Sequence, residues 1–258
     1  MFIRAGDLVV HVQVDGPASA PPLVLLHSLG TSLHVWDAQA DALSARYRVI
    51  RPDLRGHGLT SVPPGPYDIA AMARDVLAVT DALGIGSFHL GGLSIGGVIA
   101  QSLAAQAPGR VRSLALVDTA MVLPPASLWH ERAGIARTQG LAPLIEPVMA
   151  RWVTTEFLAT PPAEGLRAML RRTDPEGYAG AAEALAAADL THSTATLRLP
   201  TLVLVGEHDL ATPPSAARAI QAAIPGAALM VLPGAAHIPT VQTPDAVTHA
   251  IASLLAGQ

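Results

Sequence analysis

Gly92, Leu93, Ser94, Ile95 and Gly96 set a serine between two glycines, with a strand-like run (Phe88, His89, Leu90) before it and a helix-like run (Val98 to Gln106) after it. A chain that passes from strand to helix within so few residues must turn sharply, and glycine relieves the crowding that such a turn creates. The residue at the apex stands clear of the backbone, which makes Ser94 the candidate nucleophile. A strand that feeds straight into a helix also limits the fold, because the helix has to return the chain to a neighbouring parallel strand by a right-handed crossover.

The rest of the chain repeats that unit. Leu8 to Val14 alternates like an antiparallel edge strand, Leu23 to Leu26 is a continuous apolar run suited to a central strand, and Tyr47 to Arg51 makes another. Val111 to Val117, Leu202 to Val205 and Leu229 to Leu232 continue the series, while Ser32 to Leu43 and Ile69 to Leu83 carry apolar residues at helical spacing. The expected class is α/β, a mostly parallel doubly wound sheet. Between Leu123 and Leu197 the strand signal vanishes and Ala, Pro and Arg dominate. The expected organisation is therefore a core of residues 1–122 and 198–258 with a helical cap, residues 123–197, inserted over the strand ends.

Two further residues follow strands in the order that a nucleophilic serine requires. Asp209 lies beyond Thr201 to Val205, and His237 follows Ala228 to Leu232 in a Gly-Ala-Ala-His turn. Open parallel sheets gather their sites at these strand ends. Glu207 and Asp118 compete for the role of orienting acid, and Asp209 is preferred because its loop gives the carboxylate reach to His237 Nδ1. His57, in a glycine-punctuated loop, is expected to fix turn geometry. The turn His27, Ser28, Leu29, Gly30 follows the first central strand, so the N–H groups of Leu29 and Ile95 are the expected oxyanion donors.

Composition removes other chemistries. The 258 residues include no cysteine and no lysine, which excludes thiolate catalysis, cysteine-held metals, Schiff bases and a P-loop lysine. Ten histidines are scattered without a zinc-binding pair, so neither a metal nor a cofactor is expected. The net charge of −4 offers no basic stripe for nucleic acid. The apolar span from Ala82 to Gly109 is rich in glycine and reads as buried strand, elbow and helix, not as a membrane span. With no secretory pattern at Met1 to Asp7, a cytoplasmic protein acting on a small molecule is expected; a homo-oligomer stays open.

The runs His27-Ser28-Leu29-Gly30-Thr31, Asp53-Leu54-Arg55-Gly56-His57-Gly58, Pro63-Pro64-Gly65-Pro66-Tyr67, Gly92-Leu93-Ser94-Ile95-Gly96-Gly97, Thr173-Asp174-Pro175-Glu176-Gly177-Tyr178 and Ala211-Thr212-Pro213-Pro214 together resemble bacterial 3-oxoadipate enol-lactonases of the α/β-hydrolase fold. The likeness spans nearly the whole chain. It implies that a small enol-lactone with an acetate arm is opened to 3-oxoadipate in aromatic catabolism, through an acyl-enzyme on Ser94. It also points to a cap arginine and indole, Arg151 and Trp152, as binding residues for the substrate carboxylate. Two readings compete with it: a general carboxylesterase or other lactone hydrolase using the same triad, and a ligand-binding receptor built on this fold.

Overall fold

The structure is a computed structural model that describes residues 1–257. Its strands are β1 (Phe2–Ala5), β2 (Leu8–Asp15), β3 (Pro22–Leu26), β4 (Arg48–Pro52), β5 (Phe88–Leu93), β6 (Val111–Val117), β7 (Thr201–Gly206) and β8 (Ala228–Leu232). They form one sheet in the order β1-β2-β4-β3-β5-β6-β7-β8, antiparallel from β1 to β4 through β2 and parallel from β4 onward. The central strands owe their place to composition: every residue of β5 and β7 is buried, as a strand covered on both faces demands.

The helices are α1 (Asp37–Leu43), α2 (Ile69–Ala82), α3 (Ile95–Gln106), α4 (Ala126–Gln139), α5 (Ile145–Trp152), α6 (Pro161–Arg172), α7 (Pro175–Ala187), α8 (Thr191–Thr194), α9 (Pro214–Ala223), α10 (Pro239–Gln242) and α11 (Pro244–Ala256). α1 packs against α11 and α2 against α3, so both pairs flank the sheet. Between β6 and β7 the chain runs through α4 to α8, where α4 lies along α7 and α5 along α6. Pro161 and Pro175 each stand at the first position of a helix, where a missing N–H costs nothing, and the Asp174 carboxylate caps α7 by accepting from Glu176 N at 2.8 Å.

Two expectations change. Leu8 to Val14 is antiparallel but not an edge, because β1 pairs along it from Phe2 to Ala5. β1 has only four residues and leaves Phe2 exposed, too little alternation to stand out in the sequence. The helix expected from Ser32 to Leu43 divides into a 3-10 turn, Leu33–Trp36, followed by α1. Tertiary bonds impose the break: Leu33 N donates to Asp53 Oδ1 at 2.9 Å, and Trp36 Nε1 donates to Leu26 O at 3.0 Å.

Candidate active site

At the end of β5 the backbone enters the left-handed region at Ser94, with φ 56° and ψ −118°. A non-glycine residue held there is strained, and the strain persists only because the surroundings over-determine it. Ser94 N donates to Val117 O at 3.0 Å, while Thr119 Oγ1 donates to Ser94 O at 2.8 Å. The flanking glycines are required by contact. A Cβ on Gly92 would overlap the Gly96 backbone, and one on Gly96 would overlap the carbonyls of Leu26 and His27.

The turn delivers the hydroxyl to His237, whose Nε2 lies 2.9 Å from Ser94 Oγ. On the far side of the ring, His237 Nδ1 lies 2.8 Å from Asp209 Oδ2. All three residues are buried. Asp209 is held by three more donors: Ala211 N and Thr212 N reach Oδ1 at 2.7 and 3.0 Å, and Thr212 Oγ1 reaches Oδ2 at 2.7 Å. Burial alone pushes this carboxyl up, but His237 and the donors outweigh it and bring Asp209 down to about 2. The arrangement gives a hydroxyl with a base and an ionised group that orients the base, the geometry of nucleophilic acyl transfer.

The competing residues lie elsewhere. Glu207 is exposed and accepts from Gly234 N at 3.1 Å. His57 Nε2 accepts from Gly30 N at 3.0 Å, and His27 Nε2 accepts from Leu54 N at 2.9 Å. These two buried imidazoles clasp the loop containing Leu29 to the loop of residues 54–57. Burial, and secondarily His27, lower His57 to about 3, so it stays neutral and keeps accepting from Gly30.

A small cavity is lined by Ser28, Leu29, Ser94 and His237 from the loops that follow the strands and by Arg151 and Trp152 from α5. The cavity therefore brings together most of the residues singled out from the sequence. Ile95 is not on this wall; it begins α3, where an N–H has no acceptor within the helix. Arg151 Nη2 donates to Leu210 O at 2.7 Å, and Ile238 N donates to Trp152 O at 2.9 Å, tying α5 to the loops that carry Asp209 and His237.

Among the lining residues not singled out as binding residues are Trp129 and Arg132 on α4, and Tyr178 on α7. The Arg132 guanidinium sits 5.2 Å from the centroid of the Trp129 ring. The i, i+3 spacing of Trp129 and Arg132 puts them on one helix face, a signal present in the sequence but shared by many other pairs. Burial lowers Arg151, Arg132 lowers it further, and Asp209 acts in the opposite sense. Two guanidinium groups thus face the same small space.

Known proteins agree with this architecture. The family described as alpha/beta hydrolase fold matches residues 21–139, and one described as TAP-like protein matches residues 182–257. 3-Oxoadipate enol-lactonase 2 of Acinetobacter baylyi is 35% identical over 98% of this chain and 95% of its own length. The enol-lactonase of Burkholderia xenovorans superimposes with a TM-score of 0.97 at 37% identity, covering 99% of this chain and 100% of that one. A malate-bound esterase of Thermogutta terrifontis follows with a TM-score of 0.93 at 32% identity, covering 100% and 98%. Fold and site define an α/β hydrolase, a serine hydrolase acting on esters or lactones. Within that class the chain belongs to the 3-oxoadipate enol-lactonase family.

Proposed function

We propose that this chain hydrolyses a small acidic enol-lactone, 3-oxoadipate enol-lactone to 3-oxoadipate, by a Ser94–His237–Asp209 triad in aromatic catabolism. The observation that carries the reading is the company Ser94 keeps: Arg132 and Arg151 line its cavity, and no acidic residue does. Paired guanidinium groups bind a carboxylate through charge-assisted bonds, and Trp129, Trp152 and Val148 supply apolar walls for a ring. The malate bound in the structure of the Thermogutta esterase is also a small carboxylate, which supports an acidic ligand here.

In this mechanism Ser94 Oγ attacks the lactone carbonyl as its proton passes to His237 Nε2. The N–H groups of Leu29 and Ile95 receive the oxyanion. Collapse breaks the bond to the ring oxygen, which takes the proton from His237 and leaves as an enol that becomes a ketone. Water then attacks the acyl-enzyme as its proton passes to His237 Nε2, and the second collapse breaks the bond to Ser94 Oγ, which takes that proton back as the product carboxylate leaves. An enol is a good leaving group, so positioning is the demanding part. Residues 123–197 act as a cap that places Arg132, Arg151 and Trp152 against the acetate arm.

Two substitutions test the cationic wall. Arg132→Met or Arg151→Met removes a charge-assisted bond of about 1.5–3 kcal/mol and should lower kcat/KM on the acidic lactone about tenfold or more, chiefly through KM. Hydrolysis of a neutral acetate ester should be nearly unchanged. Equal losses on both substrates would refute the carboxylate-binding role. A wild-type enzyme that cleaves neutral esters far better than the acidic lactone is instead a general esterase, and stoichiometric binding without product in a single turnover identifies a receptor.

A further inference from the structure

Asp118, at the end of β6, belongs to no step of that mechanism, yet it is fully buried beside the triad. One carboxyl oxygen from it, one from Asp209 and a ring nitrogen of His237 lie within 4.8 Å of one another. Its backbone is in the left-handed region, with φ 42°, and Asp118 N donates to Leu204 O at 2.9 Å. Gly206 N donates to Oδ1 at 2.8 Å, whereas Oδ2 is buried with no donor directed at it.

Two carboxylates this close and this deeply buried cannot both be ionised. The donors decide between them. Asp209 has three donors besides the imidazole, and Asp118 has a single N–H. We infer that Asp118 is a positioning residue for the hydrolytic reaction: it is held as a neutral carboxylic acid whose Oδ2–H donates to the Asp209 carboxylate and fixes the plane in which that carboxylate meets His237. Burial, then the Asp209 charge, raise Asp118 well above the usual carboxylate range, in keeping with this assignment. The charged groups that bear on it are Asp209 from the loop after β7 and His237 from the loop after β8, with Arg151 on α5 acting on Asp209.

The inference rests on the triad reading, and three variants separate the two. Asp118→Asn keeps an N–H to donate to Asp209 and a carbonyl to accept from Gly206, so kcat should stay within about threefold of wild type. Asp118→Ala removes the donor and should lower kcat about tenfold with KM little changed. A neutral side chain also escapes the protonation that the buried acid requires, so the Asn variant should gain Tm over wild type at about pH 8, a gap that closes toward about pH 4. The infrared carbonyl band of a protonated carboxyl should be present in wild type at neutral pH and absent from Asp118→Asn.

A folded Asp118→Ala enzyme with full kcat, an Asn variant as damaged as the Ala variant, a Tm gap that ignores pH, or a missing infrared band each overturns the assignment. If Asp118→Ala does not fold, the Asn variant's Tm trend and the infrared band decide. Ser94→Ala addresses the triad itself: full turnover there defeats the triad reading, whereas an inactive Ser94→Ala beside a fully active, folded Asp118→Ala defeats only the role given to Asp118.

Discussion

Ser94→Ala is expected to lower kcat on the enol-lactone by about 10⁶-fold, because no other group in the proposed mechanism can form the acyl bond. Lactone binding should survive, since the charges proposed to anchor it are those of Arg132 and Arg151, which line the cavity, and not the serine. The fold should survive as well. The Ser94 side chain has one partner, His237 Nε2, while the strained turn is held by backbone bonds to Val117 and Thr119 that alanine preserves. Titrating the variant with lactone and following thermal unfolding separate these claims. A folded, ligand-binding variant with near-normal kcat would remove Ser94 from the chemistry.

Asp209→Asn should cost about 10⁴-fold in kcat with little change in KM. The cost comes from the tautomer of His237. A carboxylate accepts from His237 Nδ1–H and leaves Nε2 free to take the serine proton; an amide can instead donate to Nδ1, which puts a proton on Nε2, where Ser94 needs a base. Stability carries a second signature. The Asp209 carboxyl is held at about 2, below the usual 3.8, so its ionised form contributes stability that is fully present above about pH 4 and is lost as pH falls through about 2. That difference corresponds to about 2 kcal/mol at neutral pH. The gap in stability between wild type and variant should therefore narrow on acidification through that window. A variant with wild-type kcat would return the orienting role to another acid, with Asp118 nearest.

Much of this site was legible before any coordinates. The elbow announces itself because a sharp strand-to-helix turn leaves its glycines no substitute: added Cβ atoms at 92 and 96 would meet backbone, which cannot move aside. Asp209 and His237 could be found because each follows an apolar strand, and parallel strands deliver the residues after them to one rim. Trp129, Arg132 and Tyr178 could not. α4 alternates Ala, Arg, Glu and His with no clear apolar stripe, so nothing in its sequence tells which side faces the cavity; its packing along α7 does that.

The sequence by itself determined the class of the fold and the three groups of the proposed triad, because these depend on local turn sterics and on strand order, which are written along the chain. Only the tertiary structure decided that two arginines from α4 and α5 face one small cavity, and that Asp118 brings a carboxyl oxygen within 4.8 Å of one on Asp209 across a gap of 91 residues in the chain, counted from position 118 to position 209. Those outcomes turn on distance and burial, and a charge or a proton responds to its neighbours in space, not to those beside it in the chain.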